Sequence, residues 1–240
     1  MDLGIDGKRA AVAAASAGLG YGSAAALAAE GVRVVICGRD RARIDDAAAS
    51  IGHGCLPIVA DVATAEGSAG FVEAATEALG GLDILVTNGG GPPAGNFAST
   101  PVDAYPSALD MNLMSVVAMC KAAVPSMQAQ GWGRVVAITS VAVRQPMPEL
   151  ILSNTARAGA TGFLKTLARE VAADGVTVNS VQPGLHRTDR VRSLFGDDAD
   201  VPMGEPDDFG KVVAFLCSQH ARFTTGVQLH VDGGAYAALL

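Results

Sequence analysis

A chain of 240 residues, half of them hydrophobic, is long enough for one large domain with a well-covered core. A formal charge of −7 with no Lys/Arg cluster argues against a nucleic-acid surface, and there is neither a basic leader with an apolar core nor an apolar run of bilayer length. A cytoplasmic protein without membrane contact is therefore expected, with its four cysteines reduced, since none stands in CxxC spacing.

In chain order, strand and helix alternate. Arg9–Ala14 and Val32–Cys37 are free of charge inside, as strands covered on both faces should be. They flank an alanine-rich helical pattern, Leu19–Glu30, too long for a hairpin connection. Asp40–Ser50 follows as a helix, Leu56–Ala60 as a strand, and Thr64–Leu79 as a helix closed by Gly80-Gly81. The strand Asp83–Thr87 runs into Asn88-Gly89-Gly90-Gly91-Pro92-Pro93, where glycine and proline forbid regular structure. Helical patterns cover Val102–Met111 and Leu113–Gln130, with a strand at Arg134–Thr139 and a helix from Leu150 to Ala172. Val176–Val181 is the sixth strand, followed by Pro183-Gly184, a polar segment, the helix Pro206–Ser218 and a last strand at Val227–Val231. One doubly wound α/β (Rossmann) domain spanning residues 1–240 accounts for this order.

In such a sheet, ligands bind beyond the carboxyl ends of the strands. After the first strand, Ser16-Ala17-Gly18-Leu19-Gly20 leads straight into a helix, where free N–H groups and the helix dipole suit an anion. Gly18 and Gly20 would let backbone approach a pyrophosphate; the alternative is a tight turn of any α/β protein. Where a carboxylate would clasp the ribose of NAD, the second strand ends in Gly38-Arg39, which suits the 2′-phosphate of NADP. Asp61-Val62 ends the third strand, with Asp61 either accepting from an adenine amino group or capping a helix. Asn88, Gly89 and Gly90 would admit a ribose against the fourth.

Taken together, these segments resemble the short-chain dehydrogenase/reductase family. The resemblance runs through Ala13-Ala14-Ala15-Ser16-Ala17-Gly18-Leu19-Gly20, Asp61-Val62, Thr87-Asn88-Gly89-Gly90, Asn112, Ser140, Asn179, Pro183-Gly184, Thr188 and Val231-Asp232-Gly233-Gly234. It implies a seven-stranded parallel sheet with helices on both faces and a nicotinamide cofactor, NADP(H) in preference to NAD(H). It also implies a homotetramer formed through Leu113–Gln130 and Leu150–Ala172. Pro183, Gly184 and Thr188 join Ser16, Gly18, Leu19, Gly20, Arg39, Asp61, Val62, Asn88, Gly89 and Gly90 as expected cofactor contacts.

The departures matter as much. The family places a tyrosine thirteen residues after the serine and a lysine four further on; counting from Ser140 gives Ser153 and Arg157. A serine hydroxyl is a far weaker acid than a phenol, while Arg157 can clasp ribose hydroxyls but cannot release a proton. Candidate replacements are His186, which titrates in the useful range, Glu149 one turn before Ser153, and a water held by Ser140, Ser153 and Asn112. The first glycine of the phosphate turn is also replaced, by Ala14, which is tolerable if its φ stays negative. Residues from His186 to about 205 would form a substrate lid. There Arg187, Arg190 and Arg192 either draw in an acid or pair with Asp189 and Asp197 on a solvated face. Met147, Leu150 and Phe195 suggest an apolar lining beside the stiff Pro146 and Pro148.

The expected activity is NADP(H)-dependent interconversion of a carbonyl and an alcohol on a small, apolar-to-mixed substrate, with Asn112, Ser140, Ser153, Arg157 and His186 at the centre and no metal. The alternatives are a cofactor-binding protein without redox turnover, serving as a sensor or an inactive partner subunit, and a non-redox lyase or isomerase.

Overall fold

Val34, Val35 and Ile36, like Ile84, Leu85 and Val86, put apolar side chains on both faces of their strands, so each face needs a covering layer. The computed structural model, which describes residues 1–196 and 202–239, supplies both layers. Strands β1 (Arg9–Val12), β2 (Arg33–Gly38), β3 (Leu56–Val59), β4 (Ile84–Thr87), β5 (Gly133–Ile138), β6 (Val176–Pro183) and β7 (Gln228–Val231) form one parallel sheet in the order β3-β2-β1-β4-β5-β6-β7. One face carries α1 (Gly18–Ala29), α2 (Arg41–Ile51) and α8 (Pro206–Cys217), which bury Leu27, Ile44 and Phe209 against Val34, Ile36 and Val86. The other carries α3 (Ala65–Leu79), α5 (Ser115–Ala129) and α6 (Ile151–Val171), with Phe71, Met119 and Leu164 against Val35 and Leu85. Burial raises the thiols of Cys37, Cys120 and Cys217 to about 12 and that of half-buried Cys55 to about 11.

Observed element ends lie within two residues of expectation, with two corrections. The two helical patterns expected on either side of Asn112 are one continuous run: a 3₁₀ turn at Val102–Ala104, α4 (Tyr105–Leu109), a π turn at Asp110–Met114, and α5. By length and composition this run of 28 residues could span a bilayer, contrary to the sequence expectation, but here it is a core helix lying on α3 and α6. The first strand stops at Val12 because Ala13 and Ala14 already belong to the turn.

Two contacts fix the frame around the crevice. Helices α1 and α8 touch through glycine: a Cβ on Gly22 would run into the Pro206 carbonyl, and one on Gly210 into the Gly22 carbonyl. At the amino end of the sheet, Arg9 Nε and Nη2 donate to the two Asp83 oxygens at 2.7 and 3.0 Å, and the Arg9 N–H donates to Oδ2 at 3.0 Å. Burial alone would raise the Asp83 carboxyl, but these bonds outweigh it and hold it below its usual value. Nearby, buried Arg134 donates to the carbonyls of Gly133 at 2.8 Å and Gly175 at 3.3 Å, with its guanidinium 4.4 Å from the Trp132 ring.

Candidate active site

Between β1 and β4 the strand order reverses, which opens a crevice past their carboxyl ends. The chain leaves β1 through Ala14 at φ 48° and Gly18 at φ 61° and enters α1. The expectation of a negative φ at Ala14 is therefore overturned: the alanine adopts the left-handed conformation, at a cost of roughly 1–2 kcal/mol. The turn is held by its neighbours, the Ala14 N–H donating to Cys37 Sγ at 3.4 Å and its carbonyl accepting from Asn88 Nδ2 at 3.1 Å. Ala17 begins α1 without a side-chain cap, so among the described residues no side chain takes up the N–H groups of the first turn. A Cβ on Gly20 would sit 2.7 Å from both the Ala14 oxygen and Asn88 Nδ2. Leu19 is half-buried against the core, and Ser16 lies beside Gly38. Thr188 closes the turn from the opposite side, its Cγ2 3.3 Å from where a Gly18 Cβ would stand.

Arg39 emerges exposed at the end of β2 and makes no hydrogen bond or ion pair with any described residue. Its neighbours are engaged, Arg41 with Asp45 at 3.7 Å and Arg43 with Asp189 at 3.8 Å. Asp61 accepts from the Ala63 N–H at 3.0 Å, but the α3 cap is Thr64, so the helix-capping alternative for Asp61 is corrected. Val62 is buried beneath it. At Gly89 and Gly90 a Cβ would meet nothing closer than 3.4 Å, so these glycines leave room rather than relieve a clash. Gly184 does relieve one, because its Cβ would fall 2.8 Å from Asp232 Cα, just past Pro183 at the end of β6.

The Gly90 carbonyl gathers the centre of the site. It accepts from Asn112 Nδ2 at 2.8 Å and from Arg157 Nη2 at 3.4 Å, so the turn after β4, the π turn and α6 meet on one oxygen. Asn112 is buried, and its Oδ1 has no partner among the described residues. Arg157 Nη1 donates to the carbonyls of Ile138 at 3.1 Å and Thr139 at 3.3 Å, just before Ser140. Burial, and secondarily the charge of Arg190, lower the Arg157 guanidinium to about 10, so it stays charged at neutral pH. Ser140 Oγ accepts from the Ala142 N–H at 3.1 Å. Ser153, buried one turn before Arg157, makes no side-chain hydrogen bond with any described residue.

Two expected proton donors are placed elsewhere. The His186 ring is buried edge-on to Phe209 at 5.2 Å, with Nδ1 3.2 Å from the Gly184 oxygen and Gly204 packed beside it. This packing ties the segment after β6 to α8. Glu149 is exposed and faces Asn96 Nδ2 at 3.5 Å.

One residue of the site, Asn154, was not singled out from sequence, and one expected lid arginine, Arg190, is found against the turn after β4. Asn154 donates to the Met147 carbonyl at 2.8 Å, leaving a buried Oδ1 unpaired, and Arg190, at the start of α7 (Asp189–Phe195), donates to the Pro92 carbonyl at 2.7 Å. The pairing expected of the lid arginines holds for Arg192 with Asp189 at 3.4 Å; Arg187 instead meets Glu205 at 2.6 Å. Asp197 and the Phe195 side chain lie outside what the structure describes.

An uncapped helix behind a glycine turn, with polar side chains collected past β4, β5 and β6, defines a dinucleotide-binding fold of the oxidoreductase type. The uncapped first turn of α1, packed tightly against Ala14 and Asn88 at Gly20, together with an arginine at the end of β2 that engages no described residue, fits a phosphorylated dinucleotide. Residues 13–236 match the family model described as Enoyl-(Acyl carrier protein) reductase. The chain is 33% identical to Dehydrogenase/reductase SDR family member 4 of Bos taurus, over 98% of this chain and 89% of that protein. It is 34% identical to the 3-oxoacyl-[acyl-carrier-protein] reductase of Salmonella typhimurium, over 98% of this chain and 99% of that one. Its fold matches L-sorbose reductase from Gluconobacter frateurii, solved with NADPH and L-sorbose, with a TM-score of 0.92, 30% identity and full coverage of both chains. The chain belongs to the short-chain dehydrogenase/reductase family.

Proposed function

We propose that this protein is an NADP(H)-dependent oxidoreductase that interconverts a carbonyl and an alcohol through a rearranged proton path. The observation that carries this reading is the pairing of the uncapped α1 N-terminus with the unengaged Arg39 at the end of β2. Backbone N–H groups suit a pyrophosphate and a guanidinium fork suits a 2′-phosphate, which ranks NADP(H) above NAD(H). The solved relative with NADPH bound supports the same choice.

Ser16, Gly18, Leu19 and Gly20 would hold the pyrophosphate, with Thr188, Pro183 and Gly184 closing the nicotinamide side. Asp61 and Val62 would take the adenine, and Asn88, Gly89, Gly90 and Arg157 the riboses. When bound, NADP(H) supplies or accepts the hydride. The protein's own task is to fix the substrate oxygen and manage its proton. Ser140 and Ser153 donate hydrogen bonds to that oxygen, and Arg157, charged at neutral pH, favours negative charge developing there. With His186 packed on Phe209 and Glu149 on Asn96, the proton travels through a water ordered by Ser140, Ser153 and the unpaired Asn112 Oδ1. Half-buried Met147 and Leu150 give the substrate site an apolar wall, and of the expected lid the described residues 186–196 and 202–205 cover it. The protein works in the cytoplasm as a homotetramer assembled through α5 and α6, whose outer groove is lined by Val124, Phe163 and Leu167.

The replacement of the family's tyrosine and lysine by Ser153 and Arg157 favours one competing reading, a cofactor-binding protein without turnover. NADPH consumption over a panel of ketones and aldehydes separates the two, measured for the native chain and for the Ser153→Tyr, Arg157→Lys double variant. The oxidoreductase reading expects native turnover that the double change alters by tenfold or more, since it rebuilds the acid. Tight NADPH binding with no consumption in the native chain, and activity only in the double variant, overturns it.

A further inference from the structure

We infer that the substrate of this site carries a carboxylate, held by the free fork of Arg190 with the charge of Arg157 close by; the inference rests on reading the crevice as a carbonyl-reducing site. Both guanidinium groups hang from one short turn after β4. Arg157 Nη2 donates to the Gly90 carbonyl at 3.4 Å and Arg190 Nη2 to the Pro92 carbonyl at 2.7 Å. Between them stands Gly91, where a Cβ would lie 2.8 Å from Arg190 Nε, so the absence of a side chain there lets the second guanidinium lie against the turn.

Neither cation has an acidic partner among the described residues, whereas the arginines around them do. Arg43 and Arg192 share Asp189, and Arg187 meets Glu205. Burial disfavours the charge on both members of the pair, and the charge of Arg190 disfavours it further on Arg157. Two like charges held on one short turn, each partly stripped of water, are a standing cost that an anion beside them removes.

The donor count points to the same chemistry. A guanidinium has five N–H groups. Arg157 spends three on the carbonyls of Ile138, Thr139 and Gly90, and Arg190 spends one on Pro92, which leaves a fork free on Arg190 and two donors on Arg157. Forked donors match the two oxygens of a carboxylate. Because Arg157 lies one turn from Ser153, the acid group and the reacting carbonyl sit a few bonds apart, as in a short oxo acid. The remaining source of such an anion is a phosphate of the dinucleotide, and the experiment must tell the two apart.

Calorimetric titration of the full chain does so, with and without saturating NADPH, using pyruvate, acetoacetate and 4-oxopentanoate, each beside its methyl ester. At least one acid is expected to bind the native protein about tenfold or more tightly than its ester. Arg190→Met should erase that preference while the NADPH dissociation constant moves by less than about twofold, and Arg190→Lys should restore part of it. Acids and esters that bind alike, no acid binding in the millimolar range, or an Arg190→Met chain that weakens NADPH but keeps the acid preference would each overturn the inference. Absence of NADPH binding alone strikes the dinucleotide reading instead, because the titrations without NADPH still report on the arginine pair.

Discussion

The two ends of the sheet treat cations in opposite ways. At the amino end, Arg9 is locked onto Asp83 and Arg134 is buried on backbone carbonyls against Trp132, so both cations serve the fold. At the carboxyl end, Arg39 engages no described residue, and Arg157 and Arg190 face no carboxylate among them. A charge closed off by its own protein stabilises the chain, whereas one left open is available to something that arrives later. Within a single parallel sheet, the pairing of a cation thus separates scaffold from binding surface more clearly than its position in the sequence does.

Three changes test that division. The largest effect belongs to the amino end: Asp83→Asn should cost about 2–3 kcal/mol of stability at neutral pH, because it leaves Arg9 without its acid. The folded-state carboxyl is lowered, so its contribution is present above the unfolded value near 4 and disappears as pH falls through the lower folded value. Denaturant melts of the two chains should therefore converge toward pH 2–3; a gap that stays constant across pH would mean the pair is not the cause.

At the other end, Arg39→Ala should leave the melting temperature unchanged and weaken NADPH by about 10- to 50-fold, with NADH moving by less than about threefold. Fluorescence titration measures both. An Arg39→Ala chain that loses stability rather than affinity would break the contrast between the ends. The smallest effect concerns the strained alanine: Ala14→Gly should raise stability by about 0.5–1 kcal/mol, the relief of positive φ being partly offset by the greater freedom of glycine in the unfolded chain.

The parallel sheet, its single domain and the glycine turn were legible in the sequence because each is written locally. Charge-free apolar runs such as Val34–Cys37 require cover on both sides, and Gly18 and Gly20 mark a close approach of backbone. What escaped depends on distant partners. The position of Ala14 in the left-handed region follows from Asn88 and Cys37, and the packing role of His186 from Phe209 and Gly204. Spacing treats the three lid arginines alike, yet Arg187 finds Glu205 eighteen residues on, Arg192 finds Asp189 on its own helix, and Arg190 crosses to Pro92. The break expected at Asn112 was a true irregularity of the wrong kind, since both a helix end and a π turn interrupt the same periodicity.

That π turn stores one surplus residue inside an otherwise regular rod. Each residue advances an α-helix by about 100°, so the surplus rotates everything from Ser115 onward relative to Tyr105–Leu109. Deleting a single neighbour such as Leu113 would keep almost all of the chemistry and let the rod relax, but it would swing the asparagine amide off the Gly90 oxygen. Here the register of a whole layer is set by arithmetic rather than by side-chain identity, and a one-codon loss would do more harm than most substitutions along the same helix.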